Sequence, residues 1–305
     1  MPNQVTRFRV GDRVQVAHAE HILSTLDSNC RFEGLPFMPQ MVSFCGQELT
    51  VTRWVNNVCY PVQGGADFGN LTNSVLLNVD RCDGSSFGGC QMACPLIWKT
   101  EWLTSNTSQN ETTDGLNAPE AVKQLNDFAA ANAMNSGLVT CQATQLHQIT
   151  HRRNRLNVEQ YVDEVNLNRV SATALATSFC GGMLGRVTGS KRPIVGTLKR
   201  TPISDLQLVP GDAVTVKSQS DIIKTLDTNG KNRGLWFDPV MLRYCRQKLK
   251  VTERITTLVD ETSGQIRQLK VPSVVLEDLQ CDPTARRFCS RLLHLFWREA
   301  WLERA

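Results

Sequence analysis

The 305-residue sequence predicts a mainly β protein with a helical connector, an α+β fold. Three observations predict this class. Short runs alternate apolar and polar residues between Gly, Asn and Pro turns, the same runs recur 200 residues later, and the segment between the copies has helical periodicity. A hydrophobic content of 41% and a charged content of 20% are typical of a folded domain.

The first copy contains three predicted strands and one helix. Residues Arg13–Val16 alternate after a Gly-Asp turn, and 49–55 and 74–79 show similar β-rich patterns. Residues 20–26 are expected to form a short helix. Its counterpart is 218–226, where Ser220 is the candidate N-cap.

The second copy repeats the first in one register. The Gly-Asp turn and Val-rich strand at 11–16 recur at 211–216, and further matches are Thr25-Leu26-Asp27 with Thr225-Leu226-Asp227, Cys82-Asp83 with Cys281-Asp282, Cys90 with Cys289, and Trp98 and Trp102 with Trp297 and Trp301. Two copies predict a pseudo-twofold pair of domains, since a solenoid needs at least three stacked units. We expect each copy to be a small SH3-like β-barrel with its tryptophans in the core.

Three segments follow from this division: a first barrel at 1–104, a linker and helical connector at 105–200, and a second barrel at 201–305. Residues 105–115 are polar and rich in Asn, Ser and Thr, which indicates a linker. Helices are expected at 118–136, 158–165 and 172–183, the first with Pro119 near its N1 position.

Four cysteines in the first copy form the candidate metal site: Cys59, Cys82, Cys90 and Cys94, with the spacing C-x22-C-x7-C-x3-C. Four thiolates are the number that a tetrahedral metal or a cubane cluster needs. The second copy has Val259 and Leu293 in place of the first and last of these. Both losses fall in one copy, as expected if the four residues act together. The alternative is four ordinary buried thiols.

The sequence favours a [4Fe–4S] cluster over Zn at this site. Structural zinc sites usually have tight C-x2–4-C pairs, and only the last pair comes close. Proline follows the last thiol, as in some cluster-binding runs. Zinc remains the open alternative.

A possible second site comprises Cys141, Cys245, Cys281 and Cys289. The pair His147 and His151 would share a helix face, but no Glu stands in an H-E-x-x-H arrangement, so an exposed polar helix end is the favoured interpretation.

Charge is unevenly distributed along the chain. Residues 185–305 contain 21 Lys and Arg against 13 Asp and Glu, a net charge of +8, whereas the remainder carries −4. This basic half predicts an anionic partner: a small anionic substrate or, less favoured, nucleic acid. The alternative is a solvated basic face.

The N-terminus lacks a signal peptide's apolar core and no run could span a bilayer, so we expect a cytoplasmic protein without a membrane partner.

Several strings resemble an uncharacterised bacterial protein family with a duplicated, cysteine-containing β-domain. They include Thr25-Leu26-Asp27, the run Gly34–Met41, Arg81-Cys82-Asp83-Gly84, Gly89-Cys90 and the ending at 297–304. The resemblance implies a bacterial protein and carries no activity with it.

Three functions stay open at this point. The first is an iron–sulfur enzyme of bacterial specialised metabolism (a biosynthetic role) acting on a small anionic substrate. The second is a zinc-stapled, non-catalytic module that binds nucleic acid or a partner protein through its basic half. The third is an electron-transfer protein with a redox partner protein.

Overall fold

The computed structural model describes residues 8–62, 65–105, 118–152, 159–168, 173, 194–283 and 288–305. The predicted helix at 172–183 and most of the predicted linker therefore lie outside the described residues. The chain divides into two compact units. Unit 1 comprises Met1–Leu175, Val259–Arg267 and Arg287–Leu292, and unit 2 comprises Ala176–Leu258, Gln268–Arg286 and Leu293–Ala305.

The described part of the first repeat and connector contains twelve strands and four α-helices. In chain order they are β1 (Arg13–Val16), α1 (Ala19–Thr25), β2 (Arg31–Phe32), β3 (Leu35–Pro36), β4 (Glu48–Trp54), β5 (Asn57–Val62), β6 (Gly65–Asn70), β7 (Ser74–Leu77), β8 (Ile97–Lys99), β9 (Leu103–Ser105), α2 (Pro119–Ala133), β10 (Met134–Asn135), β11 (Leu138–Val139), α3 (Gln142–Ile149), β12 (His151–Arg152) and α4 (Glu159–Asn168).

The described part of the second repeat follows the same order. It contains β13 (Ala213–Val216), α5 (Gln219–Ile223), β14 (Lys231–Asn232), β15 (Leu235–Trp236), β16 (Lys248–Val259), β17 (Ile266–Gln280), β18 (His294–Trp297) and β19 (Leu302–Arg304). Short 3-10 helices stand at equivalent places, Pro39–Phe44 and Thr100–Trp102 in the first repeat and Pro239–Tyr244 and Glu299–Trp301 in the second.

Each repeat contributes a five-stranded sheet with the same topology, β8-β7-β4-β1-β9 in the first and β18-β17-β16-β13-β19 in the second. The last strand of each repeat returns to pair antiparallel with its first strand. The fold is therefore mixed and strand-rich, as predicted. Both sheets are open in the described residues, because β8 and β9, or β18 and β19, stand at opposite edges, so the predicted closed barrels are not confirmed.

The four repeated tryptophans lie in the core, as predicted. Trp98, Trp102, Trp297 and Trp301 are all fully buried. In unit 1 the ring of Phe37 packs edge-on against Trp102 with centroids 5.2 Å apart, and in unit 2 Phe237 meets Trp301 at 5.1 Å.

The repeated Thr-Leu-Asp string has a structural explanation. Thr25 Oγ1 accepts a hydrogen bond from Trp102 Nε1, and Thr225 Oγ1 accepts one from Trp301 Nε1, each at 3.1 Å. The following aspartate, Asp27 or Asp227, caps a tight turn by accepting two backbone N–H bonds. These contacts fix the helix and the turn to the core.

Two of the connector helices, α2 and α4, agree with the predicted segments 118–136 and 158–165 to within three residues, whereas α3 was not predicted. α2 begins at Pro119, the expected N1 position, and buries Leu125 and Ala129. One local prediction was wrong: Ser218, not Ser220, is the N-cap of α5, since its hydroxyl accepts the Asp221 N–H.

Candidate metal centre

One pocket in unit 1 is lined by four cysteines: Cys82, Cys90, Cys94 and Cys141. Its cavity volume is about 40 Å³. Since one water needs roughly 10–15 Å³ on this measure, the space can hold a small inorganic group or a few waters. The wall is mainly apolar and includes Met38, Phe87, Met92, Ile97, Leu146 and Val259.

Three of these thiols stand on the loop between β7 and β8, here called the Cys loop (residues 78–96). Its base is closed by a hydrogen bond from Cys82 N to Cys94 O at 2.9 Å, and its turn by bonds from Phe87 N and Gly89 N to Gly84 O. Gly84 has a φ of +69°, and a Cβ there would collide with the carbonyl oxygen of Cys90. Only glycine therefore allows the loop to bring Cys82 and Cys90 to one pocket.

The fourth thiol, Cys141, is the N-cap residue of α3. Its sulfur accepts the backbone N–H of Thr144, and the Thr144 hydroxyl accepts the Cys141 N–H at 3.1 Å. The N-terminal end of a helix favours negative charge, so these backbone contacts lower the pKa of Cys141 against the larger opposite effect of burial.

The buried side chain of Gln142 fixes α3 beside β8. Its Oε1 accepts the Ile97 N–H at 2.9 Å, and its Nε2 donates to Ile97 O at 2.8 Å and to Pro36 O at 3.1 Å. Gln142 thereby replaces a strand partner of β8. Because Cys141 precedes it directly, this clamp also fixes the fourth thiol at the pocket.

The four thiols interact electrostatically. Cys82 interacts with each of the other three, and Cys141 also interacts with Cys90 and Cys94. Burial raises the pKa of Cys82, raises that of Cys94 well above its usual value, and raises that of Cys141 to about 11. These three thiols are therefore protonated at neutral pH, and a metal would have to displace their protons.

A buried ion pair stands beside the thiols. Arg291 and Glu261 form a bidentate pair, both N–O distances being 2.8 Å, with side chains 5% and 8% exposed. Arg291 also donates to Cys59 O at 3.0 Å and lies 3.8 Å from Cys94 Sγ. Burial lowers the Arg291 pKa, but the Glu261 carboxylate offsets this effect, so the pKa is raised and the guanidinium stays charged.

The structure groups the predicted first set only in part. Cys82, Cys90 and Cys94 line the pocket, whereas Cys59, on β5, contacts Cys289 instead. The Cys59 N–H donates to Cys289 Sγ at 3.2 Å.

The predicted second set is dispersed. Cys141 lines the pocket and Cys289 contacts Cys59, while Cys245 and Cys281 pack in the core of unit 2. His147 and His151 do not lie on one helix, since α3 ends at Ile149 and His151 begins β12. Both side chains are exposed, which agrees with their interpretation as exposed polar residues.

Across the described ranges, no group of three or more His, Cys, Asp or Glu side chains is already arranged to hold a metal ion. The donor types around the pocket nevertheless fit a soft metal or a cluster, since all four are thiols. Ligation would require these side chains to rearrange.

Sequence reasoning did not find Gln142, Glu261 or Arg291, and it assigned Cys141 to another set. Only the Gly-rich turn of the Cys loop, which holds three of the four thiols, carried a local sequence pattern. The other residues reach the pocket from distant segments, and the one available hint was the placement of Cys141 directly before a helical pattern.

Comparison with known proteins found no matching family model, no similar curated protein and no similar solved structure. Among the described helices, none has the length and apolar character required to cross a bilayer.

Proposed function

We propose that the chain is an iron–sulfur protein whose [4Fe–4S] cluster is bound by Cys82, Cys90, Cys94 and Cys141. The observation that carries the proposal is the meeting of these four thiols at one pocket from two distant segments. Cys141 replaces Cys59 in the set expected from the sequence.

One feature supports a cluster over a single zinc ion. The sulfur-bearing residues surround a cavity, and a cluster several atoms wide needs ligands around a space, whereas zinc holds each sulfur at about 2.3 Å from one point. Arg291, 3.8 Å from Cys94 Sγ, would donate to a ligating thiolate with either metal.

We infer an enzymatic role on a small anionic substrate, as the uneven charge of the chain favours. In this role the apolar wall of Met38, Phe87 and Met92 would exclude water from the centre. A cluster, when bound, supplies redox or Lewis-acid chemistry. Electron transfer to a partner protein would use the same centre.

Metal analysis of matched variants tests the proposal. Full-length protein is purified without oxygen, and iron, sulfide, zinc and visible absorption are measured for the wild type, Cys141→Ser, Cys59→Val and Cys45→Ser. We expect brown wild-type protein with four irons per chain on a [4Fe–4S] cluster, loss of iron in Cys141→Ser, and unchanged iron in the other two variants.

Other outcomes are equally clear. Iron lost in Cys59→Val and kept in Cys141→Ser would restore the set Cys59, Cys82, Cys90 and Cys94. Colourless protein with stoichiometric zinc would overturn the cluster, and protein without either metal would overturn the metal centre.

A second candidate is the zinc-stapled module that binds nucleic acid or a partner protein. One observation favours a basic surface on unit 2: along β16, Lys248 and Lys250 are exposed while Leu249 and Val251 are buried. Nucleic-acid binding that weakens steeply with salt, together with bound zinc, would support this module.

We also infer that each five-stranded sheet is an opened SH3-like roll, because its last strand returns beside its first.

A further inference from the structure

Cys59 and Cys289 form a buried thiol pair outside the four-cysteine pocket. Cys59 lies on β5 and is 7% exposed, and Cys289 lies in the segment Arg287–Leu292 of unit 1 and is fully buried. The Cys59 N–H donates to Cys289 Sγ at 3.2 Å, which places the Cys289 sulfur against the backbone of Cys59. The proposed metal centre uses neither thiol.

Three further contacts hold the two segments together. Ser290 N donates to Asn57 O at 2.7 Å, Ser290 Oγ donates to Trp54 O at 3.0 Å, and Arg291 donates to Cys59 O at 3.0 Å. The two residues that follow Cys289 therefore hold this segment beside β5 and the end of β4. Because the sulfur of Cys289 already lies against the backbone of Cys59, bond formation between the two thiols needs little further ordering.

We propose that Cys59 and Cys289 are a two-electron redox couple that forms a reversible disulfide when the protein meets a peroxide. In the first step one thiol loses its proton and its sulfur attacks a peroxide oxygen, which breaks the O–O bond and gives a sulfenic acid and water. In the second step the other sulfur displaces the sulfenic oxygen as a second water and closes the S–S bond. Two thiols and one hydrogen peroxide thus give one disulfide and two waters.

The second repeat supplies a natural contrast. Val259, the counterpart of Cys59, donates its N–H to Cys90 Sγ at 3.4 Å. The same backbone-to-sulfur contact therefore occurs twice in unit 1, once between two cysteines and once between a valine and a cysteine. Cys59→Val makes the first contact resemble the second, so this substitution removes the couple in a form that the fold already accommodates.

The reaction is expected to be slow at neutral pH. The hydrogen bond to Cys59 and burial raise the pKa of Cys289 well above its usual value, so little thiolate is present. The rate should therefore increase steadily with pH. Thiol reductants should reverse the reaction.

Mass spectrometry of the full chain tests the couple directly. Reduced wild-type protein is exposed to hydrogen peroxide, acid-quenched, alkylated and digested. We expect a loss of two hydrogen masses and a linked peptide pair containing Cys59 and Cys289, both reversed by dithiothreitol. Cys59→Val should abolish the link, and Cys45→Ser, which removes another buried thiol, should leave it intact.

The measurement on the wild type alone shows whether Cys59 and Cys289 form a disulfide, even if a variant folds poorly. If Cys59 and Cys289 both remain alkylatable after other thiols have been oxidised, the couple does not exist. A link that joins either residue to a pocket cysteine would also overturn it. The mass measurement does not involve metal, so a negative result for the disulfide would not count against the proposed cluster.

Discussion

The Arg291–Glu261 pair places two opposite charges in a nearly dry environment beside the thiols. Removing one partner leaves the other charge buried without compensation, which typically costs about 3–5 kcal/mol. We expect Glu261→Gln to lower the free energy of unfolding by that amount in urea denaturation.

An exposed pair in unit 2 is the matched control for this variant. Lys224 and Asp221 are 2.8 Å apart, with side chains 73% and 49% exposed. Asp221→Asn should change stability little, since exposed pairs contribute about 0–1 kcal/mol. Equal losses in the two variants would contradict the role of burial.

Cys30 should make the protein less stable in alkali. Burial, with the nearby charge of Asp27, raises its pKa from 9.0 to about 12. Above pH 9 the unfolded chain therefore loses a proton that the folded chain keeps. The stabilisation is complete below pH 9 and is lost as pH rises toward 12, by at most about 1.4 kcal/mol per pH unit.

Denaturant unfolding at pH 7, 9 and 10 checks this expectation in the wild type and Cys30→Ala. The wild type should lose its stability advantage over the variant as pH rises above 9. Parallel pH profiles would show that Cys30 ionises equally in both states.

Single residues were predictable from the sequence where their roles are local. Pro119 begins its helix and the four tryptophans are buried, because position within one element decides both. Cys141 was not predictable as a pocket residue, since its place depends on the Gln142 clamp to β8 and β3. Glu261 and Arg291 likewise meet across 30 residues of chain.

At the scale of elements, the two glycines Gly84 and Gly89 of the Cys loop differ in how much room an added side chain would have, although their φ angles are similar. Gly84 and Gly89 both have positive φ, +69° and +73°, but only Gly84 faces the Cys90 carbonyl, and nothing lies within 4 Å of a Cβ at Gly89. Alanine at Gly89 should cost about 1 kcal/mol from backbone strain. Alanine at Gly84 should cost clearly more and distort the loop.

Thermal unfolding and iron content of Gly84→Ala and Gly89→Ala measure the difference. We expect Gly84→Ala to unfold at a lower temperature and to hold less iron than Gly89→Ala. Similar values for the two variants would mean that the loop adjusts around an added methyl group.

The three strands predicted in the first repeat match β1, β4 and β7 to within about two residues, because side chains of a half-buried strand face opposite sides in turn. The other strands of this repeat were not predicted. Closure of the sheets did not follow from the sequence. Whether β8 meets β9 depends on the twist and curvature that each sheet accumulates over five strands, and no short pattern encodes this property.

At the scale of the whole molecule, unit 1 is completed by the second repeat. Val259–Arg267 and Arg287–Leu292 both belong to it, and Cys59 and Val259 make matching bonds to Cys289 and Cys90. The sequence revealed the duplication, but it contained no sign that the second repeat contributes two segments to unit 1.

A chain ending after residue 200 should therefore lack a stable unit 1. It would leave Asn57 O and Cys59 O without Ser290 and Arg291. We expect a broader thermal transition and faster alkylation of Cys82, Cys90 and Cys94 than in the full chain, with recovery when residues 201–305 are co-expressed. A fragment that unfolds as sharply and as late as the full chain would contradict this expectation.

This late contribution of the second repeat also has a consequence for biosynthesis on the ribosome. Cys94 leaves the exit tunnel nearly two hundred residues before Arg291 does, so the loop's sulfurs are made long before the guanidinium that comes to lie against them. During translation the thiols therefore pass through a stage at which one wall of their pocket has not yet been synthesised. If the proposed cluster is inserted at that stage, the C-terminal part of the chain closes the pocket over it afterwards.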